Sequence, residues 1–139
     1  MRFKMIMIPE VYSKPVAPGF MPDMKAVEQM GKYNEELQKA GILLAGEGLT
    51  PPSAGARVSY AGGKPKVIDG PFAEAKEAIG GYWMIQVKSR EEAIEWAKRC
   101  PAGANDVIEI RRVQDPEDFG PEVADKEREL AEKIGKNQS

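Results

Sequence analysis

Two short segments of this sequence are apolar at almost every position, and they constrain the fold more than any other feature. One comprises residues 2–8 and the other residues 82–87. Successive side chains of a β-strand point to opposite faces of a sheet, so a strand that is apolar at consecutive positions needs cover on both faces. The chain is therefore expected to form a sheet in which both faces are covered.

Two amphipathic helices are predicted between the strands. The first follows Asp23, a residue type that caps helix N-termini, carries apolar residues at three-to-four spacing, and ends at Gly41. The second begins after Ser89, which forms a capping-box pattern with Glu92, and it ends before Pro101. Both patterns are typical of helices that cover one side of a sheet.

Further strands complete the predicted sheet. Residues 42–49 and 107–113 are expected to be strands, and residues 56–60 and 64–68 are expected to form a small hairpin joined by Ala61-Gly62-Gly63. The paired glycines provide the positive φ angles that a tight hairpin requires. Without the hairpin, the element order is βαββαβ, so the sequence predicts a ferredoxin-like α+β fold with an inserted β-hairpin.

This arrangement leaves one face of the sheet without helices. Both helices of a ferredoxin-like fold pack on the same face, yet residues 2–8 and 82–87 are apolar on both faces. A second copy of the same sheet is the simplest cover for the other face. The sequence therefore predicts a homodimer.

Composition excludes several functional classes. The formal net charge is −2 and no basic stripe is visible, whereas nucleic-acid binders use basic surfaces to neutralise phosphates, so no direct nucleic-acid binding is expected. A single cysteine, Cys100, excludes an intramolecular disulfide. No apolar run approaches the roughly 20 residues that span a bilayer, so no membrane association and a cytoplasmic location are expected.

The absence of histidine limits the available chemistry. Among 139 residues there is none, which excludes mechanisms built on a histidine base. With one cysteine, it also excludes a structural zinc site. Any general acid–base catalysis would therefore use carboxylates, lysines or tyrosines. No metal and no cofactor are predicted.

A run of motifs resembles a known family. The motifs occur in the order Asn34-Glu35-Glu36-Leu37, Gly46-Glu47-Gly48-Leu49, Asp69-Gly70-Pro71-Phe72-Ala73-Glu74, Lys76-Glu77, Gly80-Gly81-Tyr82, Glu92-Ala93-Ile94-Glu95-Trp96-Ala97 and Cys100-Pro101. Together they resemble the DGPF group of the YciI-like (YCII-related) family. We assign residues 1–114 to this domain and residues 115–139 to a charged, helical C-terminal tail outside it.

The resemblance implies a dimeric α+β barrel with a cleft near the interface. Some YciI-like members look like small lyase-type enzymes built on a histidine–aspartate pair, and DGPF members often occur beside sigma factors of the extracytoplasmic-function kind. The histidine of that pair has no counterpart here. Its aspartate partner has one candidate, Asp69.

Two carboxylates are candidates for the chemistry of the cleft. Asp69 lies where a strand ends, so it is either a catalytic acid, base or hydrogen-bond anchor, or an ordinary turn residue before Pro71. Glu47 lies between two glycines, where the backbone approaches something closely. It is either a second cleft carboxylate or an exposed residue at a strand end. Two carboxylates alone do not define a metal site.

Three further residues complete the predicted ligand site. Lys76 would hold an anionic ligand or neutralise Asp69, and its alternative is a solvated helix charge. Tyr82 would offer a phenol hydroxyl, and Phe72 an apolar wall, although both residue types are more often part of a core.

Two functions follow from these observations. The first is a homodimer that binds a small molecule near Asp69 and Glu47, with lyase-type or other acid–base activity left open. The second is a non-enzymatic regulatory protein that partners a sigma factor through the charged tail or the outer helices.

Overall fold

Six strands and three helices form the described part of the chain, which comprises residues 1–16, 19–70, 72 and 78–138 of a computed structural model. The strands are β1 (Arg2–Ile8), β2 (Leu43–Gly48), β3 (Ala56–Ser59), β4 (Lys66–Asp69), β5 (Gly81–Gln86) and β6 (Val107–Arg112). The helices are α1 (Met24–Lys39), α2 (Arg90–Lys98) and α3 (Pro121–Gln138). None of the helices in these described ranges is long and apolar enough to cross a membrane.

The main sheet has four antiparallel strands in the order β2-β5-β1-β6. Its two central strands, β1 and β5, are the two apolar segments, and they pair directly, with Met5 opposite Trp83. Central strands have both faces and both edges within the fold, which is why the segments with the most continuous apolar sequence occupy these positions. The predicted mixed α+β architecture with an antiparallel sheet is confirmed.

One face of the sheet packs against α1 and α2 and forms the core. The core side chains alternate along the strands, and the helices contribute three of them; the cluster consists of Phe3, Met5, Met7, Tyr33, Leu37, Trp83, Ile85, Val87 and Ala93. The Tyr33 hydroxyl on α1 donates a hydrogen bond of 2.7 Å to the Trp96 carbonyl on α2. This bond joins the two helices over the sheet.

The second face of the sheet carries the side chains that alternate with the core. From β1 these are Lys4, Ile6 and Ile8, and from β5 they include Tyr82 and Met84, all partly exposed. The Lys4 ammonium lies 4.4 Å from the centre of the Tyr82 ring. Strand β1 therefore carries apolar side chains on both faces of the sheet, as its sequence predicts.

The hairpin β3–β4 forms a separate two-stranded sheet, in which Ala56 is opposite Asp69. Gly62 and Gly63 have φ angles of 79° and 86°, as predicted for the connection. Strand β4 begins at Lys66 rather than at residue 64. Pro65 has no N–H to donate to a ladder, which explains the later start.

The three predicted helix boundaries are confirmed, but one of the boundary residues makes no side-chain hydrogen bond to its helix. Gly41 has φ 73° after α1, and the Ser89 hydroxyl accepts a hydrogen bond of 3.2 Å from the Glu92 N–H. Asp23 occupies the cap position of α1, but its side chain accepts no hydrogen bond from the helix. Its carboxylate is exposed, and water competes there with the helix N–H groups.

The C-terminal tail is helical, as expected, and is anchored to β6. Asp115 and Asp118 form a reciprocal capping box around a one-turn helix. The Arg112 guanidinium lies 2.9 Å from a carboxylate oxygen of Asp118. The hydrogen bond between them keeps the pKa of Asp118 below its ordinary value. Helix α3 follows, with Ala124 buried.

Candidate functional site

A cleft of about 210 Å³ lies between helix α1 and the ends of strands β2 and β5. It contains apolar side chains, one amide side chain and several glycines. The lining residues are Met7, Met30, Asn34, Gly46, Glu47, Gly48, Gly80, Gly81, Tyr82 and Trp83. Because α1 approaches the sheet at Met30 and Asn34, the cleft forms where the sheet beneath the helix lacks bulk.

Three glycines lie on the core-facing side of the sheet here, and Gly48 is the one among them that leaves this lack of bulk. Gly46 pairs with Trp83, and Gly48 pairs with Gly81. A Cβ atom at Gly48 would have no other atom within 4 Å, whereas one at Gly81 would lie 2.9 Å from the Glu47 carbonyl oxygen. Gly48 therefore leaves open space, and Gly81 allows the two strands to approach.

Trp83 and Asn34 form a fixed wall of the cleft. The indole N–H of Trp83 donates a hydrogen bond of 2.7 Å to the Asn34 side-chain oxygen. The Tyr33 ring packs edge-on to the indole, with ring centres 5.7 Å apart at 87°. Because its oxygen faces Trp83, Asn34 has its NH₂ group on the other side of the amide. The cleft is thus bordered by an indole and by an amide whose oxygen is already hydrogen-bonded.

A β-bulge decides where the Glu47 side chain lies. The register of β2 against β5 shifts between Leu43, which pairs with Ile85, and Ala45, which pairs with Met84. One extra residue moves all following side chains to the opposite face. Glu47 therefore shares the second face with its cross-strand neighbour Tyr82, and these two residues border the cleft through their backbones. Their side chains lie on the other side of the sheet, where the Tyr82 ring contacts Lys4.

Two further predicted site residues, Asp69 and Phe72, lie at the hairpin. Asp69 is exposed at the end of β4 and is not among the residues that line the cleft. The Phe72 ring lies 3.9 Å from the Arg57 guanidinium and borders a cavity of about 10 Å³, which is too small for a ligand. Lys76 falls outside the described residues. The structure thus brings Glu47 and Tyr82 together, whereas Asp69 and Phe72 belong to another region, and their roles stay predictions.

Sequence reasoning did not identify Asn34 as a cleft residue. A signal was present, because Asn34 follows Met30 by four residues and so lies on the apolar face of α1. A polar side chain at such a position needs a partner. Here the partner is the indole of Trp83.

The titratable groups of the core stay neutral around pH 7. Burial is the main cause that raises the pKa of Tyr33, with Cys100 and Glu36 adding to it. Burial also raises the pKa of the Cys100 thiol to about 11, helped by Asp106. Neither group is suited to acid–base chemistry near pH 7, and a thiol with a raised pKa is also a poor nucleophile.

Comparison with known proteins adds a family and a relative. Residues 1–117 match the model of the YCII-related domain. An uncharacterized protein of Rhizobium meliloti (strain 1021) is 35% identical over 91 residues, which cover 66% of this chain and 68% of that protein.

Proposed function

Because the chain belongs to the YCII-related family, we propose that it is a small-molecule-binding protein whose ligand occupies the cleft between α1 and strands β2 and β5. The observation that carries this proposal is the open space at Gly48 beside the fixed indole of Trp83. Gly48 is exposed, so this space is a surface cleft that a small molecule can enter from solvent. A volume of about 210 Å³ is many times what one water occupies.

A matched pair of variants tests the cleft. Gly48→Leu places a side chain in the open space, and Gly31→Leu adds the same side chain at an exposed position of α1 that also has no atom within 4 Å. Each protein is screened against a library of single-ring compounds by thermal shift and native mass spectrometry. We expect Gly48→Leu to lose the compounds that bind the wild type and Gly31→Leu to keep them. Equal binding by both variants would contradict the proposal.

We also propose a ferredoxin-like protomer within a dimeric α+β barrel. The strand order β2-β5-β1-β6 supports the first part, since it is the order of a βαββαβ fold. The partly exposed Ile6, Ile8 and Met84 support the second, because a partner sheet would bury them. Native mass spectrometry of Ile6→Lys is expected to give a monomer. Ile68→Lys, on the exposed hairpin, is expected to keep the dimer, and a monomeric wild type would contradict the assembly.

Binding has more structural support than acid–base catalysis. Asp69 and Glu47 lie on different sheets, so their positions do not favour a carboxylate pair that shuttles a proton. An acid–base role for Asp69 would require Asp69→Asn to abolish turnover of a bound compound while its affinity stays unchanged. We therefore propose binding in the cleft, and the Asp69→Asn variant tests the acid–base role of Asp69.

One observation favours the second candidate, a regulatory partner of a sigma factor. Val123, Leu130 and Ile134 on α3 are 39%, 45% and 58% exposed and recur at helical spacing. An apolar stripe of this kind suits a helix that docks on another protein. If so, Leu130→Glu combined with Ile134→Glu abolishes binding to a purified sigma factor of the extracytoplasmic-function kind. Retained binding would exclude α3 as the contact.

A further inference from the structure

We infer that the cleft selects an uncharged, flat, single-ring molecule that carries a hydrogen-bond acceptor such as a carbonyl oxygen, and that Asn34 is the residue that selects it. This inference rests on the proposed function, since it assumes that the cleft is the ligand site. Pockets for drug-sized ligands have about 300–1,000 Å³. At about 210 Å³ the cleft is sized for a smaller compound.

The hydrogen bond from Trp83 fixes which half of the Asn34 amide faces a ligand. An indole N–H only donates, so it requires the amide oxygen as its acceptor. Rotating the amide by half a turn would place its NH₂ group against the indole N–H and lose this bond of 2.7 Å. The NH₂ group is thus the half of the amide that remains for a ligand in the cleft that Asn34 lines. A ligand satisfies these donors with an acceptor, and a ligand without one leaves them unpaired.

The charge of the lining argues for a neutral ligand. The side chains that face the cleft from Met7, Met30 and Trp83 are apolar. Glu47 is the charged residue among those that line the cleft, and the bulge in β2 directs its side chain to the opposite face of the sheet. A charged group that enters the cleft loses water and gains no opposite charge, which is costly.

The shape and polarisability of the lining argue for an aromatic ring. Gly48 leaves a piece of strand surface without a side chain beside the Trp83 indole, which itself covers Gly46, and a flat molecule can lie closely against such a surface. Methionine thioethers make favourable contacts with aromatic rings, and the indole of Trp83 offers a further aromatic surface. The thioethers of Met7 and Met30 and this indole surround the same space.

Three probes of one shape separate these contributions. Benzamide is neutral and carries an acceptor, benzoate is an anion, and benzylamine is a cation without an acceptor. We expect benzamide to bind the wild-type protein at least tenfold more tightly than either charged probe in isothermal titration calorimetry. This ranking needs no variant, so it tests the inference even if a substitution prevents folding. Absence of benzamide binding, or equal binding of benzoate, would overturn the inference.

The variant Asn34→Asp tests the role of the amide. An aspartate oxygen still accepts from the Trp83 indole, but the residue offers no donor and adds a negative charge. We expect benzamide to lose at least tenfold in affinity and benzylamine to become the preferred probe. Asn105→Asp adds the same charge at an exposed loop position and is expected to keep the wild-type ranking. Near-UV circular dichroism checks that the packing of Trp83 is kept.

The outcomes separate this inference from the function on which it rests. If Gly48→Leu abolishes probe binding but Asn34→Asp keeps the wild-type ranking, the cleft is the site and the ligand class is wrong. If Gly48→Leu leaves benzamide binding unchanged, the cleft is not the site, and both proposals fail. Reversal of the ranking in Asn34→Asp, together with loss of binding in Gly48→Leu, supports both.

Discussion

The paired glycines Gly48 and Gly81 are predicted to respond in opposite ways to the same substitution. They face each other across β2 and β5 on the core side of the sheet. An added Cβ at Gly81 would lie 2.9 Å from the Glu47 carbonyl oxygen and 3.3 Å from the Gly48 Cα atom. Both neighbours belong to the backbone, which yields only if the strands separate. At Gly48 the added atom meets open space.

The magnitudes follow from these two environments. Overpacking a well-fitted site costs about 1–3 kcal/mol, which is the expected loss for Gly81→Ala. Gly48→Ala is expected to stabilise by about 0.4–1 kcal/mol, because alanine reduces the conformational entropy of the unfolded chain where the native backbone tolerates it. The two variants should therefore differ by roughly 2 kcal/mol in the free energy of unfolding.

Urea unfolding monitored by tryptophan fluorescence measures this difference. With a slope of about 2 kcal/mol per molar urea, the two midpoints should lie roughly 1 M apart. All proteins are compared at one concentration, since association with a second copy would add to the apparent stability. If Gly81→Ala and Gly48→Ala unfold at the same midpoint, the cleft does not have the geometry described, and the reasoning fails.

Three further predictions concern the core, a helix cap and the buried thiol. Leu37→Ala removes a side chain that is 0% exposed and should cost about 2–5 kcal/mol in urea unfolding; a loss below 1 kcal/mol would argue against the core assignment. Ser89→Ala removes the acceptor of the Glu92 N–H and should cost about 1 kcal/mol, and unchanged stability would show that the cap is dispensable. Burial raises the pKa of Cys100 from 9.0 to about 11, so iodoacetamide should label native protein slowly at pH 8 and unfolded protein fast. Between these two pKa values the folded state keeps a proton that the unfolded state has lost, so stability should fall as the pH rises from about 9 to 11. A Cys100→Ala variant should lack the decline that begins near pH 9, whereas Tyr33, whose pKa burial raises from 10.0, should still lower the stability above about pH 10.

The main elements could be predicted from sequence because their signals are local. The consecutive apolar residues of β1 and β5 gave the two central strands, and the positive φ angles at Gly62 and Gly63 confirmed the hairpin. The family resemblance also agrees with the family match, which spans residues 1–117.

The arrangement of the site could not be predicted, because it depends on long-range pairing. Asp69 and Glu47 both follow strands, but the hairpin carries Asp69 on a sheet of its own. The side of the sheet on which Glu47 lies depends on one bulge after Leu43, and no single residue of the sequence marks that bulge. The bond between Asn34 and Trp83 spans 49 residues and exists only once α1 packs on the sheet.

Binding of a small neutral molecule in the cleft beside Gly48, Trp83 and Asn34 is best tested by a titration of ¹⁵N-labelled protein with benzamide, followed by two-dimensional proton–nitrogen NMR spectra. We expect saturable shifts at the indole N–H of Trp83, the side-chain amide of Asn34 and the backbone amide of Gly48, with little change at Asp69. Shifts that concentrate at Asp69 and the hairpin, or no saturable shift at the cleft, would contradict binding in the cleft.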